Sequence, residues 1–146
     1  MKRLACGLLL FAALLSAGTP VVSQKKLDAW VRQWQRVLLL DDWQIEARCV
    51  RLSELPKGAS GLSEVDKNLQ VERILVLDPR DYPELAKRDG IRLKQGKAIV
   101  RDIEDTILHE ILHLRLRSFS LSPADKLEDA EEMVVNRLTT ALLNLK

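Results

Sequence analysis

The feature that most constrains this chain is the pentapeptide His109-Glu110-Ile111-Leu112-His113, which contains the only two histidines in 146 residues. Residues four apart lie on one face of a helix, one turn above the other. On a helix, His109 and His113 therefore direct their imidazole nitrogens towards a common point. Because neutral imidazole is a common metal ligand, we predict a helix that carries two ligands of a metal ion.

The residues around the pentapeptide predict that this helix has a buried face. Apolar side chains recur at helical spacing at Ile103, Ile107, Ile111 and Leu114. Asp102 is a residue type typical of the position that caps a helix N-terminus. We therefore expect the helix to run from Asp102 to about Arg117 and to hold the two histidines rigidly.

A catalytic zinc ion needs a third protein ligand and an open position for water. Since no other histidine exists, that ligand must be Asp, Glu or Cys. The later segment LEDAEEMVVNRL offers four acids: Glu128, Asp129, Glu131 and Glu132. Glu132 has Asn136 one turn later, a pair that can supply a ligand and a partner that orients it. Glu131 is in line with apolar positions of the same helix and could also face inward. Helical periodicity therefore does not decide whether Glu131 or Glu132 is the third ligand.

Between residues 25 and 77 the sequence predicts one helix and three strands. Residues 25–40 carry apolar side chains at helical spacing and form an amphipathic helix, with Trp30 and Trp34 as core residues. Strands are predicted by alternation and β-branched content. Their bounds are 43–52, 61–65 and 70–77.

A long loop is predicted after Asp78, before the helix with the two histidines. The last helix is expected to begin near Ser122-Pro123 and to reach almost to Lys146. The whole is an α+β domain with an N-terminal helix, a three-stranded and mainly antiparallel sheet, the histidine-bearing helix and a C-terminal helix.

The first 23 residues have the pattern of a signal peptide. Lys2 and Arg3 precede an uncharged apolar run at 4–17, which is shorter than the roughly 20 residues of a transmembrane helix. Cleavage is predicted after Ser23, or alternatively after Gly18, which leaves residues 24–146 as a single exported domain, periplasmic or secreted. An uncleaved membrane anchor is the alternative; after cleavage we expect no stable membrane span.

The charge balance gives no indication of a nucleic-acid partner. The chain has 23 basic and 21 acidic residues. Lys2 and Arg3 belong to the predicted leader, so the remainder carries 21 of each and has no net charge. Proteins that bind nucleic acid usually carry a basic surface.

The motif His-Glu-x-x-His followed by a glutamate on a later helix resembles the zincin metallopeptidases, specifically the gluzincins. Glu132 with Asn136 four residues later is similar to the ligand segment of several gluzincin families, and the short α-β-β-β-α-α order is similar to the minimal gluzincins. The resemblance implies one Zn²⁺ per chain, held by His109, His113 and Glu132. It also implies hydrolysis of a peptide or protein substrate with Glu110 as the general base.

The same resemblance implies that the last strand before the histidine-bearing helix lies at the edge of the cleft and pairs with an extended substrate. Residues 72–77 are expected to be that strand. The oxyanion-stabilising Tyr or His of these enzymes has no match downstream of the motif, because the only tyrosine, Tyr82, lies upstream. This difference keeps a second function open, a zinc-binding module with little or no turnover.

Two other functions compete with these. Peptide deformylase has the same motif with an upstream cysteine as third ligand, but Cys49 lacks the neighbouring glycine of that enzyme and is typical of a small buried hydrophobe on a strand. The other is a helical interaction protein without metal, which docks a partner through the Trp30 and Trp34 face or through its last helix. Oligomeric state is not predicted.

Overall fold

The computed structural model describes residues 22–90, 92, 96–117 and 128–145. These residues form four helices and three strands, so the predicted α+β class is confirmed. The helices are α1 (Gln24–Val37), α2 (Tyr82–Asp89), α3 (Lys97–Arg117) and α4 (Glu128–Asn144). The strands are β1 (Gln44–Val50), β2 (Gly61–Asp66) and β3 (Val71–Leu77), each of which overlaps a predicted strand.

The three strands form one mixed sheet in the order β1-β3-β2. β2 and β3 are antiparallel, with Gly61 opposite Val76 and Asp66 opposite Val71. β1 runs parallel to β3, so the expected antiparallel pairing holds for only one of the two pairs. A parallel pair needs a long crossover connection, and the chain between β1 and β3, which contains β2, provides it.

The prediction that residues 72–77 form an edge strand is wrong, because β3 is the middle strand. The short turn after Asp66 folds β3 back along β2, and β1 then pairs with the other side of β3. Within the described part of the chain, β2 is therefore the edge strand on one side of the sheet, and β1 is the edge strand on the other.

Helix α1 packs against β1 and α3 with a stripe of buried side chains, namely Leu27, Trp30, Val31 and Trp34. Trp34 also donates a hydrogen bond from Nε1 to Glu104 Oε1 at 3.2 Å, which ties α1 to α3. Ahead of the helix, Val22 is buried in the core, and the Ser23 hydroxyl accepts a hydrogen bond from the Lys26 amide. The predicted placement of both tryptophans in the core is confirmed.

The segment predicted as a long loop after Asp78 contains helix α2, so that prediction is wrong for residues 82–89. Tyr82 and Leu85 are buried and anchor the helix to the core. Gly90 ends it in the left-handed conformation with φ 64°, which glycine adopts without steric strain. Two apolar anchors in a charged segment are too few to produce a clear helical pattern.

Helix α3 begins at Lys97, five residues before the expected start at Asp102. The Gly96 carbonyl accepts hydrogen bonds from the amides of Ile99 and Val100, and Ile99 is buried, so packing extends the helix backwards. The predicted apolar face is confirmed, because Ile103, Ile107, Ile111 and Leu114 are all buried. Leu108, which was not part of the prediction, is buried as well.

Helix α4 packs against α3 and buries Val135 and Thr139. Its expected start near Ser122-Pro123 lies outside the described residues. Among the helices of the described segments, none combines the length and the apolar character needed to cross a bilayer.

Candidate metal centre

The two histidines of α3 converge as their spacing predicts. His109 Nε2 and His113 Nε2 are 3.0 Å apart, and the rings meet edge to face. The buried apolar face of α3 fixes the rotation of the helix, so both imidazoles emerge on the side that faces α4.

Glu132 of α4 completes a group of three donors. Its Oε2 lies 3.1 Å from His113 Nε2, and its Oε1 lies 3.4 Å from His109 Nε2. All three donor atoms lie within 4.8 Å of one another, in the only such group found among the described residues. Two imidazole nitrogens and a carboxylate could hold a metal ion, and this donor set leaves room for water.

The structure distinguishes the two glutamates that periodicity left open. Glu131 Oε1 lies 2.6 Å from His113 Nδ1, the ring nitrogen that faces away from the donor group. Arg117 Nε donates to the same oxygen at 2.9 Å. Partial burial opposes ionisation of Glu131, but the hydrogen bond from His113 and the charge of Arg117 outweigh it and hold the pKa of this carboxyl below its usual range.

The predicted partner of Glu132 is also in place, since Asn136 Nδ2 donates to Glu132 Oε1 at 3.0 Å. Of the other acids considered, Asp129 is exposed to solvent. The side chain of Glu128 lies outside the described residues.

Glu110 points from α3 towards the start of β2. Its Oε1 would lie 3.7 Å from a Cβ placed on Gly61. The same Cβ would collide with the methyl group of Thr106, so glycine at this position lets β2 approach α3 closely. Burial raises the pKa of Glu110 above its usual value, although positive charge on His109 and His113 acts in the opposite direction.

Sequence reasoning missed a buried acid near this group. Glu72 on β3 is 0% exposed, on the same side of the sheet as Ile74. Its Oε1 accepts a hydrogen bond from Ser63 Oγ at 2.7 Å, and its Oε2 is buried without a hydrogen-bond partner in the described part of the chain. Burial raises the pKa of Glu72 to about 7; the Ser63 hydrogen bond and the charge of Arg117 lower it, and the charge of Glu110 raises it. The sequence could have revealed Glu72, because it is an acidic residue at an inward-facing position of an otherwise apolar strand.

Tyr82 and Cys49 lie apart from the donor group. The Tyr82 hydroxyl donates to Asp102 Oδ2 at 2.7 Å, and burial raises the pKa of this buried tyrosine far above its usual value. Cys49 is half-buried on β1. Burial raises the pKa of its thiol, and the negative charge of Asp78 raises it further. Neither side chain belongs to the converging donors.

Comparison with known proteins finds no matching family model, no matching curated sequence and no matching solved structure.

Proposed function

We propose that this protein is a zinc-dependent metallopeptidase in which His109, His113 and Glu132 hold the metal. The observation that carries the proposal is the spacing of the three donor atoms. In a tetrahedral zinc site with bonds of roughly 2.0–2.1 Å, neighbouring ligand atoms are about 3.3 Å apart. The two Nε2 atoms are 3.0 Å apart, His113 Nε2 lies 3.1 Å from Glu132 Oε2, and His109 Nε2 lies 3.4 Å from the other oxygen, Oε1. With one ligand atom from each residue, all separations are within 4.8 Å, so a small adjustment of the Glu132 carboxylate would complete the set.

His109, His113 and Glu132 would hold the zinc ion, and the ion would supply Lewis acidity for polarising a carbonyl group and for lowering the pKa of a water molecule towards about 7. Glu110 takes a proton from the attacking water and delivers it to the leaving amine. Its partly buried position beside the start of β2 suits this role, because desolvation raises the pKa of the carboxyl group and makes its carboxylate a better proton acceptor.

The substrate is an extended peptide that pairs with the free edge of β2. The Leu77 amide bonds to the Ser60 carbonyl, so the alternation of an antiparallel pair turns the backbone groups of Gly61, Ser63 and Val65 away from β3. Because no strand among the described residues pairs with this side of β2, these groups could pair with one more strand. Since Gly61 lies beside Glu110, a strand bound there passes the general base.

Export to the periplasm or the exterior is part of the proposal and rests on the leader pattern of residues 1–23. Val22 and Ser23 pack with the domain, as core residue and helix cap, so the folded unit includes two residues ahead of α1. The alternative cut after Gly18 retains both.

A zinc-binding module with little turnover is the second candidate. The observation that favours it is the position of Tyr82, which is buried and bonded to Asp102 and is therefore not available to stabilise an oxyanion. Oxyanion donors often account for a factor of about 10²–10³ in rate, so their loss can leave binding without useful turnover.

Metal content of the purified chain, measured by mass spectrometry, tests the site. We expect about one zinc per chain in the wild type and in Glu110→Gln, and none in His113→Ala. Digestion of a peptide library then tests the reaction, with a loss of about 10²–10⁴-fold in Glu110→Gln.

The possible results separate the candidates. A wild-type chain that takes up no zinc even after reconstitution contradicts the metal site. Zinc binding without cleavage favours the module. A Glu110→Gln variant that keeps its zinc and cleaves as fast as the wild type refutes the proposed base.

A further inference from the structure

The far side of His113 carries a second acid that the reaction does not use. The His113 side chain is 12% exposed and Glu131 is 20% exposed, so their 2.6 Å contact is largely sheltered from water. Glu132, which supplies the third donor, is 49% exposed. The more deeply placed of the two adjacent glutamates is therefore the one that contacts Nδ1.

The chemistry of this contact fixes the tautomer of His113. An ionised carboxylate only accepts hydrogen bonds, so Nδ1 must carry the proton that joins His113 to Glu131. In the neutral ring the lone pair then lies on Nε2, the atom that faces His109 and Glu132. This is the tautomer that a metal ion in the donor group requires.

Arg117 holds the carboxylate in position. It donates from Nε to the same Oε1 that accepts from His113, and it lies one turn beyond His113 on α3. Glu131 is thus held by two donors of α3 although it belongs to α4. This orientation directs Glu131 towards Nδ1 and away from the side of the ring where Glu132 lies.

We propose that Glu131 is a positioning residue that, anchored by Arg117, holds His113 as the Nδ1–H tautomer with Nε2 ready for the metal. The inference rests on the proposed zinc site and extends it beyond the three ligands. Carboxylates that orient a ligand histidine typically contribute a factor of about 10–100 to metal affinity.

Zinc affinity, measured by competition with a chelating dye, tests this role in the full chain. Glu131→Ala is expected to bind one zinc about 10–100-fold more weakly than the wild type. Glu131→Gln is expected to recover part of the loss, because its amide oxygen still accepts the Nδ1 hydrogen bond. Asp129→Asn, an exposed change on the same helix, is the matched control and should leave the affinity unchanged.

Nitrogen chemical shifts of the His113 ring in the metal-free protein provide a readout that a merely structural role does not move. We expect a protonated Nδ1 and an unprotonated Nε2 in the wild type and in Asp129→Asn, and a mixture of tautomers in Glu131→Ala. Unchanged shifts and unchanged zinc affinity in both Glu131 variants overturn the inference.

The two proposals fail separately. A wild type that binds no zinc but shows the expected tautomer shift in Glu131→Ala contradicts the metal site and keeps the positioning contact. If Glu131→Ala does not fold, zinc affinity and the His113 nitrogen shifts are measured on Glu131→Gln, which preserves the shape of the side chain.

Discussion

Replacing Glu72 by glutamine is expected to stabilise the metal-free protein above neutral pH. The carboxyl group is 0% exposed, with one oxygen bonded to Ser63 and the other buried without a partner in the described segments. Ionisation there keeps a charge away from water, whereas the unfolded chain ionises its glutamate freely. Glutamine has nearly the same shape, still accepts the Ser63 hydrogen bond and carries no charge.

The magnitude follows from the pKa of Glu72, which is about 7 in the fold against an ordinary 4.5. Because the folded pKa is raised, the folded protein binds the proton more tightly than the unfolded chain. The stabilising contribution is complete below about pH 4.5, decreases as the pH rises, and is lost above about pH 7. Since one pKa unit is about 1.4 kcal/mol, the total loss is about 3 kcal/mol.

Urea unfolding between about pH 4 and pH 8, with a chelator present, measures this effect. The difference in free energy of unfolding between Glu72→Gln and wild type is expected to grow by about 3 kcal/mol over that range. Any fixed effect of the amide group is the same at every pH and cancels. A difference that is flat with pH, or that grows towards acid, would refute the argument.

The matched control is Glu64→Gln, which changes an exposed carboxylate on the neighbouring strand β2. An exposed substitution of this kind is expected to alter the free energy of unfolding by no more than about 0.5 kcal/mol. If Glu64→Gln reproduced the pH dependence of Glu72→Gln, burial could not be its cause.

Two further predictions concern the elements on either side of the site. Gly61→Ala is expected to lower the free energy of unfolding by about 1–3 kcal/mol, because its Cβ collides with the Thr106 methyl group. The double variant with Thr106→Ser should recover part of this loss in urea unfolding, and no recovery contradicts the proposed collision. Metal removal by a chelator is expected to speed amide hydrogen exchange in the first turns of α4 more than near the buried Thr139. His113→Ala, which cannot hold the metal, should show no response to the chelator.

The parts of the fold that the sequence predicts well are those with a long apolar period. Helix α3 buries the predicted stripe, and α1 buries both tryptophans, because in each the spacing persists over several turns. Helix α2 was not predicted, because only Tyr82 and Leu85 anchor it to the core and two apolar residues do not form a recognisable period. The Asp102 cap pattern was overridden because burial of Ile99 favours an earlier start.

Strand order could not be read from local patterns. β3 is the most apolar strand, which fits either a central strand or one covered by helices, and only long-range pairing with β1 decides between them. For this reason β2, and not β3, is the strand proposed to pair with a substrate. The fold class does not depend on the strand order, whereas the choice of edge strand does.

In the candidate site, too, local patterns predict some features and only the packing of the elements decides the others. His109 and His113 are related by one helical turn, so local geometry brings them together. The choice between Glu131 and Glu132 depends on how α4 is rotated on α3, and adjacent residues on a helix differ by about 100° in direction. Both acids reach His113, but on opposite sides of the ring, a distinction that only the packed pair of helices reveals.

At the end of the helix pair that carries the donors, polar contacts of Glu131 and Glu132 join α4 to α3. The buried residues of α4, Val135 and Thr139, lie beyond the first two turns, whereas Glu131 and Glu132 belong to those turns. An ion held between α3 and α4, as proposed, would therefore also fix the start of α4 against α3. The affinity for the proposed metal would then include the free energy of docking that segment, so metal binding and the stability of the fold would be coupled.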